Sequence, residues 1–335
     1  MIWLTWRQFR LQAWVIAALV AAIAVALLVS APGLFDVYRD TGMAACTGAC
    51  ETALDAFKSE VGNSAYFAVY LVGSAAVLLL PALIGVFWGA PLVSREFESG
   101  THRLVWNQTV SRGRWLAVKL AGIGAVAILA AGLLSLVVTW FAGPIDRAGD
   151  FGRVTPLLFS ARGVVPMGYA LLAFVGGLAI GMLTRRLLVA MALTLVFVVL
   201  SQLAAPYGYR EHLVAPATSS TGFDAERIAS LWINQANQVH IELTAPERSA
   251  WVLSNVTVGP DGREYSGPVD PTACGRAGGP DECHAWLAQQ GLVSEIEYIP
   301  SDRFWALQWR EFGLLLVTAG LLSAFCLWWI RRRVS

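Results

Sequence analysis

The cysteines are the side chains of this 335-residue chain best suited to covalent or metal chemistry. Cys46 and Cys50 form one close group, and Cys274 and Cys283 form a second, with His284 beside it. In an oxidising compartment these residues predict two disulfides, most simply Cys46 with Cys50 and Cys274 with Cys283, although other connectivities are open. A metal site of cysteine with His284 is the alternative, and it lacks a second tight pair of ligands. We expect no metal.

Catalytic motifs are missing from the chain. All the histidines lie between the apolar runs, so a membrane-embedded protease or other membrane enzyme lacks its base or metal ligand. The sequence contains no Gly-x4-Gly-Lys-Ser/Thr phosphate loop, so the chain is not expected to bind ATP or any other cofactor itself. We predict that it is not an enzyme. The histidines are His102, His212, His240 and His284.

The sequence around these cysteines and histidines is dominated by six long apolar runs. Hydrophobic residues make up 56% of the chain and charged residues 14%, against a usual quarter or so. Each run approaches the ~20 residues that a helix needs to cross a ~30 Å hydrocarbon core. Apart from Lys119, their interiors contain no charge, which predicts that the protein has no intramembrane ion relay. The runs are roughly 11–30, 67–93, 115–142, 164–183, 187–205 and 312–330.

The charge between the runs predicts the topology. With the N-terminus in the cytoplasm, the inner segments carry almost only basic residues, and their only acids are Glu96 and Glu98. We therefore predict an all-α protein of the plasma membrane with six transmembrane helices and both termini cytoplasmic. The first run is read as a retained helix rather than a signal peptide. The inner bases are Arg7, Arg10, Arg95, Arg103, Arg112, Arg114, Lys119, Arg185, Arg186, Arg331, Arg332 and Arg333.

Three segments follow from this layout. Residues 1–205 form a membrane domain of five spans, which begins with an amphipathic interface helix over residues 1–10. Residues 206–311 form a small mixed α/β extracellular domain, and residues 312–335 form the sixth span and a basic cytoplasmic tail. Within the extracellular domain, residue pattern predicts helices at 224–237 and 281–290 and strands at 238–243, 251–258 and 293–299.

The inner loop at 94–114 carries the most functional information. It mixes acids and bases with aromatic anchors, a composition suited to docking on a protein partner. The loop contains acidic residues, a Glu-x-Gly-Thr pattern and a Ser-Arg pair, and Lys119 follows it. This combination resembles the first cytoplasmic loop of ATP-binding cassette type-2 (ABC-2) permeases. In that family the loop is a coupling helix that docks on the ATPase subunit. The resemblance assigns this coupling role to Arg95, Glu96, Phe97, Glu98, Gly100, Thr101, Arg103 and Trp106.

A second stretch lies directly before the last run. Residues 302–311 predict an amphipathic helix on the outer membrane surface, with aromatic side chains in the headgroup layer. The stretch looks like the C-terminal part of a subgroup of such permeases found in actinobacteria, where outer helices precede the last span. An ordinary aromatic belt is the alternative. The residues assigned to this outer interface helix are Arg303, Phe304, Trp305 and Trp309.

The resemblance implies a permease subunit of an ABC exporter. It would work as a homodimer in membrane lipid, with ATP and Mg bound by separate ATPase subunits and with no nucleic acid involved. Gln202 is the candidate pathway residue, with an interhelical hydrogen bond as the alternative, and Gly177 with Gly181 predicts close helix packing. Two other functions stay open: a signalling or mechanotransmitting subunit with a sensory ectodomain, and a secondary transporter, which the charge-free runs argue against.

Overall fold

The structure, a computed structural model, describes residues 2–48, 50–98, 111–149, 153–234, 238–274 and 279–332. The chain divides into two compact units. A helical unit comprises Met1–Ala148, Pro156–Leu213 and Trp305–Ser335, and a sheet unit comprises Gly149–Thr155 and Val214–Phe304. The side chains at positions 1–8, which belong to the predicted interface helix, lie outside the description.

Six helices of the described chain are long and apolar enough to cross a membrane. Spans four and five are joined only by Arg185 and Arg186 and so form a tight hairpin. We call the end of the bundle that carries this connection the hairpin end, and the opposite end the far end. Three short helices, Glu51–Gly62, Gly143–Ala148 and Pro156–Phe159, lie in the connections at the far end. Spans one to six are Phe9–Asp40, Ala65–Glu98, Arg112–Phe141, Val165–Thr184, Leu187–Leu213 and Ser301–Arg332.

Span two is not one regular helix. An α-helix at Ala65–Ile84 passes into a π-helical turn at Gly85–Gly89, and a short α-helix follows at Pro91–Glu98. Pro81 has no amide hydrogen to donate and lies within the last turn before the π-helical turn. We call Pro91–Glu98 the junction helix.

Span four is the centre of the bundle. In its most apolar stretch 72% of residues are buried, against 17% in spans one and five. A Cβ atom on Gly177 would lie 2.6 Å from the carbonyl oxygen of Gly85, and one on Gly181 would lie 2.6 Å from that of Ala90. These positions have room only for hydrogen, because the backbones of spans four and two touch there.

We expect Gly177→Ala to destabilise the helical unit by about 1–3 kcal/mol, since the added methyl group must displace backbone rather than a side chain. Gly320→Ala is the matched control: a Cβ at Gly320 meets no atom within 4 Å, and alanine favours a helix by up to about 1 kcal/mol. Thermal unfolding in detergent measures both. Equal midpoints for the two variants would contradict the close contact.

The terminal spans are longer than their apolar runs. Helix Ile2–Asp40 runs without a break from the segment predicted as an interface helix into span one, and Phe9 packs edge-on against Trp88 at 4.6 Å between ring centroids. Helix Phe304–Arg332 is likewise continuous. Its first turns bury Leu307 and Gln308 and leave Trp305 and Trp309 exposed. The segment predicted as an outer interface helix at 302–311 is thus continuous with span six, and it contains both buried polar residues, such as Gln308, and exposed tryptophans.

The described part of the sheet unit contains five strands in two antiparallel sheets. One sheet has the order β1-β5-β4, and β5 is its central strand; the other pairs β2 with β3. Helices Pro271–Cys274 and Pro280–Ala288 complete the unit, and Leu287 and Cys283 pack in its core with Ile241. The strands are β1 Ala217–Gly222, β2 Ile228–Ile233, β3 Val239–Leu243, β4 Trp251–Val258 and β5 Val293–Ile299.

The helix predicted at 224–237 is wrong. The segment forms a 3-10 turn at Ala225–Arg227 and then strand β2, since Ile228–Ile233 pairs antiparallel with β3. The main segment of the sheet unit begins at Val214 rather than 206, because a π-helical turn at Ala205–Tyr209 and a 3-10 turn at Arg210–Leu213 continue span five.

Two disulfides join the cysteines of the connecting segments. Cys46 bonds to Cys50, with 6.0 Å between their Cα atoms, and Cys274 bonds to Cys283, with 4.5 Å. Asp270 precedes the second pair and accepts hydrogen bonds from the hydroxyl and amide of Thr272, which lower the pKa of its carboxyl. Cys326 is a free, buried thiol in span six.

Thiol counting tests this pairing. We expect the folded protein to show no reactive thiol, the denatured protein to show one, and the denatured and reduced protein to show all five. Cys326→Ser should remove the single thiol that denaturation exposes. Labelling of Cys274 or Cys283 without prior reduction would contradict the second disulfide.

Candidate functional site

The junction helix is held firmly at the hairpin end. Val93 and Ser94 are buried, and Val93 packs in an apolar cluster with the start of span three, the end of span four and the end of span six. The Ser94 hydroxyl donates to the carbonyl of Ala90 at 2.7 Å, beside the close approach of Gly181. The residues assigned to coupling therefore begin on a packed helix.

Glu96 pairs with Lys119 of span three. The Lys119 ammonium donates to a Glu96 carboxylate oxygen at 2.9 Å, and only 4% of the lysine side chain is exposed. The same ammonium lies 4.1 Å from the centre of the Trp115 ring. A carboxylate and an aromatic face together offset the loss of hydration of the buried lysine. Lys119 is therefore paired within the bundle rather than extended to the membrane surface.

Phe97 and Glu98 reach the connection between spans four and five. The guanidinium of Arg185 lies 5.7 Å from the centre of the Phe97 ring. Glu98 accepts a hydrogen bond from the backbone amide of Leu187 at 3.1 Å, at the first turn of span five. Arg95 is exposed on the same helix. The remaining residues assigned to coupling, Gly100, Thr101, Arg103 and Trp106, lie outside the described residues.

Gln202, the candidate pathway residue, donates to the carbonyl of Leu78 in span two at 3.0 Å and is half buried. The side chain therefore makes the interhelical hydrogen bond that the sequence had left as its alternative. It joins span five to the part of span two near Pro81, where the helical hydrogen-bond ladder is interrupted.

The far end contains a fully buried ion pair that the sequence prediction missed. Arg210 at the end of span five makes two hydrogen bonds to Glu311 of span six, 2.7 Å from Nε and 2.9 Å from Nη2, and both side chains are 0% exposed. Arg210 also donates to the Ser160 hydroxyl and the Pro156 carbonyl, each at 2.6 Å. The hydroxyl of Tyr169 donates to Glu311 at 2.9 Å.

Gln308 extends this contact to the start of span four. Its amide oxygen accepts from the backbone amides of Val164 and Val165 at 2.9 and 3.0 Å, and its amide nitrogen donates to the carbonyl of Phe159 at 3.1 Å. The first amides of a helix have no partner within the helix, so a side chain of span six caps span four. We call Arg210, Glu311, Gln308, Tyr169 and Ser160 the far-end cluster.

A second buried arginine lies at the same end of the bundle. Arg162 forms an ion pair with Asp146, with 3.5 Å between Nε and Oδ2. It also donates to the hydroxyl of Ser74 at 3.2 Å, and its guanidinium lies over the ring of Tyr70. It is completely buried just before span four. Spans two and four are thereby connected through charged groups as well as apolar packing.

Hydropathy did not predict that these charges are buried. Arg210 and Glu311 lie just beyond the apolar runs, in segments that the structure adds to spans five and six. A signal was present in the sequence: an arginine follows the fifth run and a glutamate directly precedes the sixth. Opposite charges at neighbouring ends of two spans are candidates for a buried pair.

The contacts at these sites join helices to one another. Within the described ranges, His, Cys, Asp and Glu side chains form no group of three that could hold a metal ion. His284 lies instead in the wall of a cleft in the sheet unit, of about 420 Å³, beside the Cys274–Cys283 disulfide. What the two ends of the bundle offer is a set of directed contacts between helices.

Comparison with known proteins gives one family. Residues 17–210, more than half of the chain, match the family model described as ABC-2 membrane transporter related. The match covers the junction helix and spans two to four, and it ends at Arg210, before the main segment of the sheet unit, Val214–Phe304, and before span six. No curated protein and no solved structure matches the chain.

We expect Arg210→Met to destabilise the helical unit by about 3–5 kcal/mol, because it leaves the Glu311 carboxylate buried without its cation. The double change Arg210→Met with Glu311→Leu should recover much of this loss, since no buried charge remains. Arg39→Ala is the control: the Arg39–Asp36 pair is exposed, and its loss should cost less than about 1 kcal/mol. Thermal unfolding in detergent measures the stability of each variant, including Glu311→Leu alone. If the effects of Arg210→Met and Glu311→Leu simply add in the double variant, the pairing is contradicted.

Proposed function

The chain belongs to the ABC-2 membrane transporter related family, and on this basis we propose that it is the permease subunit of an ABC exporter. It is a multi-pass membrane protein with six candidate spanning helices and a membrane component of a transport system. The observation that carries the proposal is the family match over residues 17–210, which includes the junction helix.

The orientation we propose places the hairpin end in the cytoplasm. Arg185 and Arg186 lie at this end with Arg331 and Arg332, and basic residues favour the cytoplasmic side of the plasma membrane. Both termini are then cytoplasmic, and the sheet unit is extracellular. The two disulfides support this orientation, because disulfides persist in oxidising compartments.

The partner we propose is an ATP-binding cassette ATPase that binds ATP and Mg and docks on residues 95–106. Family membership implies association with such a subunit. We place the docking contacts on the segment after Glu98, since Glu96, Phe97 and Glu98 contact the bundle. The permease itself then contributes the pathway and no catalytic group.

A homodimer would supply the second half of the pathway. Spans one and five carry long exposed apolar faces, such as Leu11, Val15, Leu188 and Leu200. These exposed apolar faces can contact either membrane lipid or a second copy of the chain. Gln202 lies on span five and adds a polar group at membrane depth.

A signalling role is the second candidate. The observation that favours it is that the main segment of the sheet unit, Val214–Phe304, lies beyond the family match and is built around its own core. In this alternative the ATPase partner and the coupling segment are the same, but ligand binding outside replaces translocation. ATP-driven accumulation of a fluorescent amphipathic cation in inside-out vesicles would identify an exporter.

Co-expression with the cassette ATPase encoded in the neighbouring reading frame tests the proposed function. We expect the two subunits to co-purify and the permease to stimulate ATP hydrolysis. Gly100→Val should abolish the stimulation while membrane yield stays normal, because the glycine lies inside the segment assigned to docking. Gly122→Val is the control, since a Cβ at Gly122 meets no atom within 4 Å. Failure of the wild-type subunits to associate would contradict the proposed function.

A further inference from the structure

Three consecutive residues of the junction helix contact three different elements. Glu96 binds Lys119 of span three, Phe97 lies under Arg185 of the connection, and Glu98 binds the Leu187 amide of span five. No single face of a helix explains this spread. The end of the junction helix therefore contacts span three, span five and the connection between spans four and five, and the Glu98 side chain is exposed.

The Glu98 contact satisfies a specific need of span five. The first amides of a helix have no partner inside the helix, and the N-terminal end of its dipole favours a negative charge. Leu187 is the first residue of the α-helix in span five, and the preceding residue, Arg186, makes no side-chain cap. The carboxylate of Glu98 supplies this acceptor from another helix.

The connection between spans four and five is short and conformationally restricted. Arg185 has φ +55°, in the left-handed region that non-glycine residues seldom adopt, and its amide donates back to the Gly181 carbonyl at 3.1 Å. Gly181 in turn allows the backbone of Ala90 to approach. A displacement of the junction helix therefore reaches the start of span five through fixed geometry rather than through a slack loop.

The Glu96–Lys119 pair makes the corresponding contact with span three. Both side chains are largely buried, and the lysine is held between Glu96 and the Trp115 ring. Removal of either partner leaves a charge without compensation in a poorly hydrated site. The junction helix is thus attached on one side to span three and on the other to span five.

We infer that Glu98 and Glu96 are positioning residues that transmit displacement of the segment after the junction helix to the starts of spans five and three. The inference rests on the proposed function, in which a cassette ATPase binds that segment. It changes the role of Glu98, which the sequence assigned to the docking surface itself. One oxygen of Glu98 binds span five within the same chain.

Glutamine and alanine at position 98 separate the two roles. Glu98→Gln loses the charge but keeps an oxygen that can accept from the Leu187 amide, whereas Glu98→Ala loses both. A charged contact with the ATPase would be lost equally in both variants. The cap on the Leu187 amide would be lost in Glu98→Ala and largely kept in Glu98→Gln.

The experiment uses the complex of the full-length chain with its ATPase in lipid nanodiscs. We expect Glu98→Ala to retain subunit association, to lower permease-stimulated ATP hydrolysis about fivefold, and to speed hydrogen exchange at the Leu187 amide by a similar factor, the loss typical of a helix cap. Glu98→Gln should stay close to wild type in all three. The exposed Glu60→Ala is the control and should change none of them.

The Glu96–Lys119 pair is tested by exchange of its charges. Glu96→Lys alone should lose ATPase stimulation while the ATPase remains bound, and Glu96→Lys with Lys119→Glu should restore part of it. The inference would be overturned if Glu98→Ala left the stimulation of ATP hydrolysis unchanged. It would also be overturned if both Glu98→Gln and Glu98→Ala lost association with the ATPase. Either result would leave the proposed function in place. If the wild-type chain binds no ATPase, the proposed function fails first, and the inference fails with it.

Discussion

The close contact between span four and the second half of span two is the constraint on which the rest of the helical unit depends. At Gly177 and Gly181 a hydrogen atom is all that fits between one helix and the backbone of the other. Within a bilayer the hydrophobic effect does not draw helices together, so dispersion forces at such close contacts must do so. The π-helical turn at Gly85–Gly89 lies at this contact, and the junction helix continues from it.

Polar contacts complete the packing at both ends of the bundle. At the far end Arg210, Glu311 and Gln308 bind spans four, five and six to one another, and at the hairpin end Glu96 and Glu98 bind the junction helix to spans three and five. A charge removed from water is tolerated only when an opposite charge and hydrogen bonds compensate it. Each cluster therefore holds its helices in one specific arrangement, which apolar surfaces alone would not define.

For a permease this arrangement separates parts that move together from parts free to move apart. The far-end cluster joins the far-end halves of spans four to six, so separating them would expose a buried ion pair. Span one is attached mainly by apolar contacts such as Phe9 on Trp88 and has a large exposed face. Apolar helix surfaces slide at lower cost than paired charges separate, so motion within one subunit is easiest between span one and the remaining spans.

The sequence alone determined the number of spanning helices, the hairpin of spans four and five, and the close packing at Gly177 and Gly181, because apolar length and small-residue spacing are local properties. It did not reveal that Arg210 and Glu311 are buried, since hydropathy places both in connecting segments and only their mutual proximity compensates their charges. Strand β2 was missed for a similar reason: burial against β3 overrides the helical pattern of 224–237. Tertiary structure likewise decided that Glu98 caps span five, because the two residues lie 89 positions apart and meet only after spans two to five have packed.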